Sequence, residues 1–486
     1  MSAEKCPHAA VSSPDTGATT GVAILSGRGE PVPTPRFRLP LLGDLLSVDP
    51  AKPVQKEMRM AADLGPIFER KIVSTRLVVV SGVDLVAEVN DEAAWAKSLG
   101  APIRKLRSVA ADGLFTAYNS EPNWAKAQRI LNPGFSQAAL RNYHGSMLRM
   151  LEQMTGSWDA AAEEGARVDV AADTTRLALD VIGSAGFGHD FGSFARAAGD
   201  DPFVDAMSRV LAHVNRTSND MPLLRTVLGR KADAQHRADI ALMHRVVDDV
   251  IAQRRQDPDV EHRDLLDLML HSTDPETGEL LDPVNVRNQV VTFLIAGNET
   301  TAGTLAFALY FLARHPEVAA AARAEIDGVV PGDGPIAFEQ VGKLRYLRRV
   351  VDETLRLWPA APGYFRKVRH DTTLGGRYRM PKGSWVFVLL PQLHRDPVWG
   401  PDPDRFDPDR FLPEAVRARP AHAYRPFGTG PRSCIGRQFA LHEAVLALAV
   451  LLRRYELEPD PGYELDVREA ITLKPQGFEL RLRRRG

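Results

Sequence analysis

The stretch 427–436 places one cysteine among glycines, directly before a run that predicts a helix. Cys434 follows Gly428 and Gly430 and precedes Gly436. Glycine accepts positive φ and lets the backbone approach a large group closely. Free N–H groups and the dipole at a helix N-terminus favour a thiolate at this cysteine. Such a thiolate can ligate haem iron, whereas the plainer interpretation is a buried free cysteine.

A second chemically capable cluster interrupts the long apolar run 283–314. Asp282 and Pro283 read as the N-cap and first residue of a helix, which would be buried and roughly 45–50 Å long. Its centre reads Ala-Gly-Asn-Glu-Thr-Thr over residues 296–301, and such polar groups are tolerated mainly at functional sites. Thr300 is spaced to donate a hydrogen bond to the carbonyl of Ala296. The alternative is a buried polar set satisfied by neighbouring backbone.

The elements that must position these residues are mostly helical. Helical patterns cover 137–161 and 234–255, short strands are predicted within 67–80, and residues 371–390 alternate like strands with glycine turns. Glu353 and Arg356 are three apart and share a helix face, a spacing that by itself is typical of a solvated ion pair. We find no internal repeat.

Composition narrows the class of protein. The chain has 486 residues, enough for two domains or one large helical domain, with 44% hydrophobic and 25% charged residues. A net charge of −1 gives no support for nucleic-acid binding. Two cysteines without a Cys-x-x-Cys motif disfavour a disulfide framework or a zinc ribbon, and indicate a reducing, cytoplasmic location.

The N-terminus and the membrane question complete this survey. Residues 1–36 lack periodicity and are rich in small and turn-forming residues, so we predict a disordered tail followed by one folded domain, 37–486. No run approaches the ~20 apolar residues that span a bilayer, and the first residues do not resemble a secretory signal. We therefore expect a monomer that contacts neither a membrane nor nucleic acid.

Three motifs in order resemble the cytochrome P450 family. The loop 427–436 matches F-x-x-G-x-R-x-C-x-G at every fixed position, residues 296–301 resemble A-G-x-E-T-T, and 353–356 resemble E-x-x-R. The resemblance begins near residue 37 and reaches the end of the chain. It implies a mainly α fold with small β-sheets (α+β), one large helical domain around a long central helix. It also implies haem b, iron protoporphyrin IX, with Cys434 as the axial ligand of the iron.

The resemblance also assigns roles. Gly297 would leave room for dioxygen, Thr300 would hold the bound oxygen and its waters, and Glu299 would supply protons from solvent. A structural network of Glu353, Arg356 and Arg410 would support the haem pocket. The residues expected to contact the haem are Cys434, Arg432, Trp124, Lys97, Phe427, Gly428, Gly436 and Ala296. The residues expected to line the substrate pocket are Phe115, Ala296, Ala361, Gly363, Ile471, Thr75 and Val79.

Within the family, the closest likeness is to the haem domain of the self-sufficient bacterial fatty-acid hydroxylases, where a diflavin reductase shares the chain. The segment after Cys434 is too short for a reductase, so the sequence predicts a separate ferredoxin or flavodoxin with an NAD(P)H reductase. Thr75 and Val79 stand where those enzymes carry an Arg and a Tyr that hold the fatty-acid carboxylate. Gln128 stands where they carry a His near the haem propionates. The substrate is therefore open to an acyl or peptidyl derivative or another apolar metabolite.

The expected function is a haem-thiolate monooxygenase that uses dioxygen and two electrons from a separate redox partner. It hydroxylates an unactivated C–H bond of an apolar small molecule, a fatty acid or an acyl or peptidyl derivative. The alternative is a tailoring oxidase of secondary metabolism that hydroxylates, epoxidises or forms rings, C–N or C–C bonds on an amino-acid- or polyketide-derived metabolite. A haem sensor without turnover has no need of a proton relay at Glu299 and Thr300. A peroxygenase branch lacks that pair.

Overall fold

The computed structural model describes residues 30–73, 75–195, 201–218, 230–256 and 263–485. Helices predominate there and the strands are short, which confirms the mainly α fold with small sheets. The helices are α1 (Pro53–Leu64), α2 (Val83–Val89), α3 (Ala101–Ala110), α4 (Pro122–Leu131), α5 (Gln137–Glu164), α6 (Val170–Phe187), α7 (Pro202–Ser218), α8 (Arg230–Gln256), α9 (Leu265–His271), α10 (Pro283–Arg314), α11 (Pro316–Val329), α12 (Phe338–Val341), α13 (Arg345–Leu357), α14 (Leu390–Leu393), α15 (Pro413–Ala418) and α16 (Arg437–Arg454).

The strands are β1 (Ile67–Ile72), β2 (Thr75–Val80), β3 (Trp95–Ser98), β4 (Arg167–Asp169), β5 (Gly363–Val368), β6 (Thr372–Leu374), β7 (Tyr378–Met380), β8 (Trp385–Leu389), β9 (Tyr455–Pro459), β10 (Val467–Glu469), β11 (Leu473–Pro475) and β12 (Glu479–Arg484). The predicted helices at 137–161 and 234–255 correspond to α5 and α8, which extend a few residues further. The turn between β6 and β7 uses Gly375 and Gly376, both at positive φ as the sequence indicates.

Helix α10 is the long central helix. The Asp282 carboxylate accepts a hydrogen bond from the Asn285 N–H at 2.9 Å, and Pro283 is the first helical residue. The helix has 32 residues and is therefore about 48 Å long. It packs along α6 and against α13 and α16, and Phe307 stacks on Trp358 with ring centroids 5.7 Å apart. Because α10 is surrounded in this way, most of its residues are buried.

The largest sheet has five strands in the order β1-β2-β8-β5-β3. Strands β2 and β8 pair in parallel, with Val79 opposite Phe387, and the other pairs are antiparallel. A Cβ atom at Gly363 would collide with the Val388 carbonyl, so the approach of β5 to β8 requires glycine there. This sheet carries four of the residues predicted for the site, namely Thr75, Val79, Lys97 and Gly363.

The start of the folded part differs from the prediction. Residues 1–29 lie outside the described part of the chain, but residues 30–36 belong to the fold. The Glu30 N–H donates to the Arg377 carbonyl at 3.0 Å, and the Glu69 N–H donates to the Pro33 carbonyl at 2.8 Å. Composition predicted a tail to residue 36 because it does not reveal that an extended segment can bond to a sheet edge. In the described part of the chain, no helix is both long and apolar enough to cross a membrane.

Candidate active site

The cysteine loop is a tight backbone structure that presents Cys434. Gly428 and Gly430 have φ of +70° and +68°, a region that residues with a side chain rarely adopt. The Cys434 N–H donates to the Phe427 carbonyl at 2.9 Å, which closes the loop. Helix α16 begins three residues after Cys434, with Gly436 as its N-cap. The Cys434 side chain is exposed, which differs from the buried free cysteine of the plainer interpretation.

The pKa of the Cys434 thiol is shifted in the direction opposite to the one that the sequence argument favours. Burial among protein atoms raises the pKa of the Cys434 thiol, although the Gly436 backbone N–H and the Arg437 charge act in the opposite direction. Solvent reaches the side chain and moderates this effect. The helix N-terminus therefore does not give a net lowering of the pKa of the Cys434 thiol. Coordination to a metal ion deprotonates a thiol outright, so a bound iron would supply the missing stabilisation.

The centre of α10 is the accessible part of a buried helix. The Thr300 hydroxyl donates to the Ala296 carbonyl at 2.8 Å, as predicted, and the Thr304 hydroxyl repeats this bond to the Thr300 carbonyl at 2.9 Å. Asn298 is fully buried, and its amide has no hydrogen-bond partner in the described residues. The polar cluster is thus only partly satisfied by neighbouring backbone. The half-buried residues of this turn are Ala296, Gly297, Glu299 and Thr300.

Gly297 faces a neighbouring helix. A Cβ atom at this position would lie 3.2 Å from Cγ1 of Ile182 on α6, tighter than an ordinary contact. The missing side chain therefore permits the close approach of α10 and α6. Room for dioxygen, the role that the resemblance implies for Gly297, stays a prediction without support from this contact.

Glu299 points toward the C-terminal part of the chain. Its Oε2 accepts a hydrogen bond from the Thr472 hydroxyl at 3.2 Å and lies 3.6 Å from Nζ of Lys474 in β11. Within the described residues no hydrogen bond joins the carboxylate to the Thr300 hydroxyl. The acid and the alcohol are adjacent in sequence, but each is held by a different partner.

Phe135 links the cysteine loop to α10. Its ring would lie 3.8 Å from a Cβ atom at Gly436, and its centroid is 5.7 Å from that of Phe293, about one turn before Ala296. The exposed sulfur and the accessible turn of α10 therefore belong to one region of the molecule.

Two cations with a tryptophan form one edge of this region. Nζ of Lys97 donates to the Phe115 carbonyl at 3.1 Å, and the Arg432 guanidinium donates to the Ala117 carbonyl at 2.8 Å. The guanidinium also lies 4.5 Å from the ring centroid of Trp124. Burial and then the charge of Arg432 hold the pKa of Lys97 well below its ordinary value. Burial lowers the pKa of Arg432 to about 10.

These two cations fit an anionic group that the protein itself does not supply. In the described part of the chain, neither Lys97 nor Arg432 has a carboxylate within ion-pair distance. The haem propionates are carboxylates, and they would provide the missing negative charge. With the accessible sulfur of Cys434, the residues fit haem.

The predicted pocket residues come together only in part. Phe115 lies beside the cationic edge, with its ring centroid 5.6 Å from Nζ of Lys97. Ala361 and Ile471 are half-buried and flank the hydrogen bond from the Leu473 N–H to the Ala360 carbonyl, 2.9 Å long.

Strand β2 does not extend this group of residues. Val79 is fully buried, while Thr75 is exposed at the first residue of the strand, about 13 Å away at strand geometry. The adjacent Arg76 is paired with Glu69 at 3.6 Å. At Thr75 and Val79, therefore, no cation takes the place of the arginine that holds the fatty-acid carboxylate in the related enzymes.

The support network is buried. Arg356 binds Glu353 through two hydrogen bonds, and Nε of Arg410 lies 3.6 Å from the same carboxylate. The sequence analysis did not single out His394, whose Nδ1 lies 3.1 Å from the Arg356 carbonyl and whose Nε2 accepts from the Arg425 N–H. Burial lowers the pKa of His394 to about 3, so this ring is neutral. Its only sequence signal is that residues 391–396, Pro-Gln-Leu-His-Arg-Asp, resemble a stretch of the self-sufficient fatty-acid hydroxylases.

Fold and site together define a haem protein in which a cysteine loop lies near a long helix that carries an acid and an alcohol. The family described as Cytochrome P450 matches residues 32–482. The chain belongs to the cytochrome P450 family, whose cofactor is haem b.

The relatives include fusion proteins. The chain is 44% identical over 454 residues to a "Bifunctional cytochrome P450/NADPH--P450 reductase" of Bacillus cereus, covering 93% of this chain and 42% of that protein. It is 40% identical over 452 residues to "Self-sufficient cytochrome P450 monooxygenase CYP505E3" of Phanerodontia chrysosporium, covering 92% and 42%. The solved structure of "a Cytochrome P450 (CYP102L1)" superimposes with a TM-score of 0.89 at 46% identity, covering 95% of this chain and all of that one. The chain thus spans about two fifths of the length of these curated relatives.

Proposed function

We propose that this chain is the haem-bearing part of a monooxygenase that inserts one oxygen atom of dioxygen into an unactivated C–H bond of an apolar small molecule. The observation that carries the proposal is the pair Glu299 and Thr300 on the accessible turn of α10, which Phe135 and Phe293 link to the loop of Cys434. When bound, haem with a cysteine ligand supplies dioxygen reduction and C–H oxidation. The protein residues bind the haem edge, orient the substrate and hold protons.

Each residue has a defined task in this proposal. Cys434 ligates the iron, and Lys97 and Arg432 neutralise the propionates. Thr300 holds a proton at its hydroxyl, with the Ala296 carbonyl as its resting acceptor. Glu299 brings protons to this turn. A sensor without turnover would have no use for the last two groups.

The substrate class follows from the pocket and from what the chain lacks. The residues Phe115, Ala361 and Ile471 are apolar and half-buried, which suits an apolar substrate. Because Thr75 and Val79 are uncharged and Arg76 is paired, a free fatty-acid carboxylate finds no grip there. Acyl or peptidyl derivatives therefore fit better than free fatty acids, and a tailoring oxidase of secondary metabolism is the second candidate. A ligand screen by shift of the haem Soret band distinguishes them.

Electrons come, in this proposal, from a separate cytoplasmic ferredoxin or flavodoxin with its NAD(P)H reductase. Arg437 is exposed at the first residue of α16, three positions from Cys434, and offers a positive contact for an acidic partner. Reduction rates that fall with rising salt in the parent and less steeply in Arg437→Ala would support this docking. Rates that do not depend on salt would contradict it.

The test of the function is product formation with NADPH, dioxygen and a generic ferredoxin or flavodoxin system. Thr300→Ala should lower product per NADPH consumed, because the hydroxyl that holds the proton is gone. Thr304→Ala is the matched control, since it removes the same group one turn along, at a buried position. No product from any ligand that shifts the spectrum would indicate a sensor. Peroxide-driven turnover unaffected by Thr300→Ala would indicate a peroxygenase.

A further inference from the structure

A buried lysine holds the carboxylate of Glu299. Lys474 lies in β11 with a side chain 8% exposed, and its Nζ is 3.6 Å from Oε2 of Glu299. The same Nζ donates to the Thr175 hydroxyl on α6 at 2.7 Å, and that hydroxyl donates to the Ala171 carbonyl at 2.6 Å. The ammonium therefore bridges α6 and α10 from the edge of a two-stranded sheet.

The backbone keeps β11 at this distance from α10. Gly303 lies one turn after Glu299 on the same helix face. A Cβ atom at Gly303 would lie 2.6 Å from the Leu473 carbonyl oxygen, so only glycine permits this approach. The Leu473 N–H is in turn bonded to the Ala360 carbonyl. The position of the Lys474 backbone is thus fixed by the contacts of the adjacent residue Leu473 with Gly303 and Ala360.

The two charges depend on each other. Burial lowers the pKa of Lys474, and the negative charge of Glu299 is the largest effect that opposes it. Arg468 lowers this pKa further and Asp169 raises it slightly. Removing one partner of a buried pair leaves the other charge without compensation, which is strongly destabilising.

We propose that Lys474 is a positioning residue that holds the Glu299 carboxylate on the β11 side of α10 and so sets how efficiently this acid serves Thr300. The proposal rests on the proposed function. In the resting arrangement Thr472 and Lys474 occupy the carboxylate, and Thr300 is bonded to Ala296. Lys474 returns the carboxylate to the same place after each proton transfer, and without the lysine Glu299 would have no fixed position from which to reach Thr300.

The first test uses thermal unfolding of the haem-loaded protein and does not depend on activity. Lys474→Met keeps the apolar stem and removes the charge, while Glu299→Gln removes the other charge. The double variant Glu299→Gln/Lys474→Met should unfold at a higher temperature than Lys474→Met alone, because the uncompensated carboxylate is gone. A change in Tm of the double variant equal to the sum of the changes in the two single variants would contradict an interaction between Glu299 and Lys474.

The second test measures product per NADPH consumed, with a surrogate apolar ligand identified by its spectral shift. Lys474→Met should lower this ratio by roughly two- to a hundredfold, the range that couplings between contacting residues span. Lys474→Arg should restore most of it. An unchanged ratio in Lys474→Met would overturn the positioning role and leave the proposed function intact.

A milder pair of variants keeps the proposal testable where Lys474→Met does not fold. Thr175→Val removes the hydroxyl acceptor without touching a charge and should lower the ratio in the same direction. Thr174→Val is its matched control, because the Thr174 hydroxyl bonds the Val170 carbonyl within α6. Equal ratios in these two variants would contradict the proposal. If the parent protein itself forms no product, the proposed function fails. The unfolding comparison would still test the interaction between Glu299 and Lys474.

Discussion

Arg356 binds Glu353 by a bidentate pair, with Nε to Oε2 at 2.6 Å and Nη2 to Oε1 at 2.7 Å, and both side chains are fully buried. Arg356 also donates to the backbone carbonyls of His394 and Pro403, at 2.9 and 2.6 Å. The pair therefore connects α13 to the segment that leads into the cysteine loop. This geometry supports a structural role for the pair.

Arg356→Leu should destabilise the protein by about 3–5 kcal/mol, because Glu353 is left as an uncompensated buried charge. Urea unfolding and the haem content of the purified protein measure this. The double variant Glu353→Leu/Arg356→Leu should be less destabilised than Arg356→Leu. Arg141→Ala is the control, since its pair with Glu339 is more than half exposed and should contribute only about 0–1 kcal/mol. A double variant as unstable as the sum of both single variants would contradict this account.

Lys97→Met should affect the apoprotein and the haem complex in opposite directions. Without haem, removing a half-buried positive charge that faces Arg432 should raise the free energy of unfolding. With haem, a charge-assisted hydrogen bond to a propionate is lost, and the haem dissociation constant should rise by roughly tenfold or more.

Lys367→Met is the matched control for Lys97→Met. Lys367 is exposed on β5, opposite Ala96 of β3, and its removal should change neither quantity. Denaturation of the apoprotein and haem transfer to an acceptor protein are the two measurements. Equal haem retention in Lys97→Met and Lys367→Met would contradict the assignment of the haem edge.

Glu443 on α16 predicts a pH dependence of stability. This carboxyl is 2% exposed, and its Oε1 has no hydrogen-bond partner in the described residues. Burial raises the pKa of Glu443 well above its ordinary value of 4.5. The folded state therefore binds the proton more tightly than the unfolded state, and stability falls as pH rises from 4.5 toward the folded pKa, by up to about 1.4 kcal/mol per pH unit.

In Glu443→Gln this decline should disappear, because an amide does not titrate. The measurement is the free energy of unfolding from urea curves at several pH values, compared between variant and parent. Glu414→Gln, at an exposed position of α15, is the control and should leave the parent's profile unchanged. Parallel profiles for Glu443→Gln and the parent would show that this carboxyl does not titrate in the expected window.

Thr75→Arg should favour binding of free fatty acids, because Thr75 is the exposed one of the two β2 positions, whereas Val79 is fully buried. The parent should bind a fatty acid and its methyl ester with similar affinity, because the one cation of β2, Arg76, is paired with Glu69. The variant should prefer the free acid by roughly ten- to a hundredfold, since a charge-assisted hydrogen bond contributes about 1.5–3 kcal/mol. Soret titrations measure both ligands, with Arg76→Ala as the control for a contribution from the neighbouring arginine. A parent that already prefers the free acid would contradict the proposed pocket.

The sequence predicted what depends on local spacing. Three features were predicted in this way: the cysteine loop, the N-cap of α10 at Asp282 and the bond from Thr300 to Ala296. Each of them involves residues that are only a few positions apart in the sequence. The contact of Glu299 with Thr472 joins residues 173 positions apart, and no periodic pattern in the sequence predicts it. The direction of Gly297 toward Ile182 depends likewise on how two helices pack. The thiolate argument for Cys434 was incomplete because a local sequence pattern does not reveal how neighbouring protein atoms desolvate the thiol.

The ligation of iron by Cys434 is tested most directly by the spectrum of the reduced carbon monoxide complex. The chain has two cysteines, so Cys6→Ser is the matched control for Cys434→Ser. The control should keep the 450 nm band that the family is named for, and Cys434→Ser should lose it together with product formation. A Cys434→Ser protein with an unchanged 450 nm band and unchanged product would contradict the assignment of this sulfur to the iron.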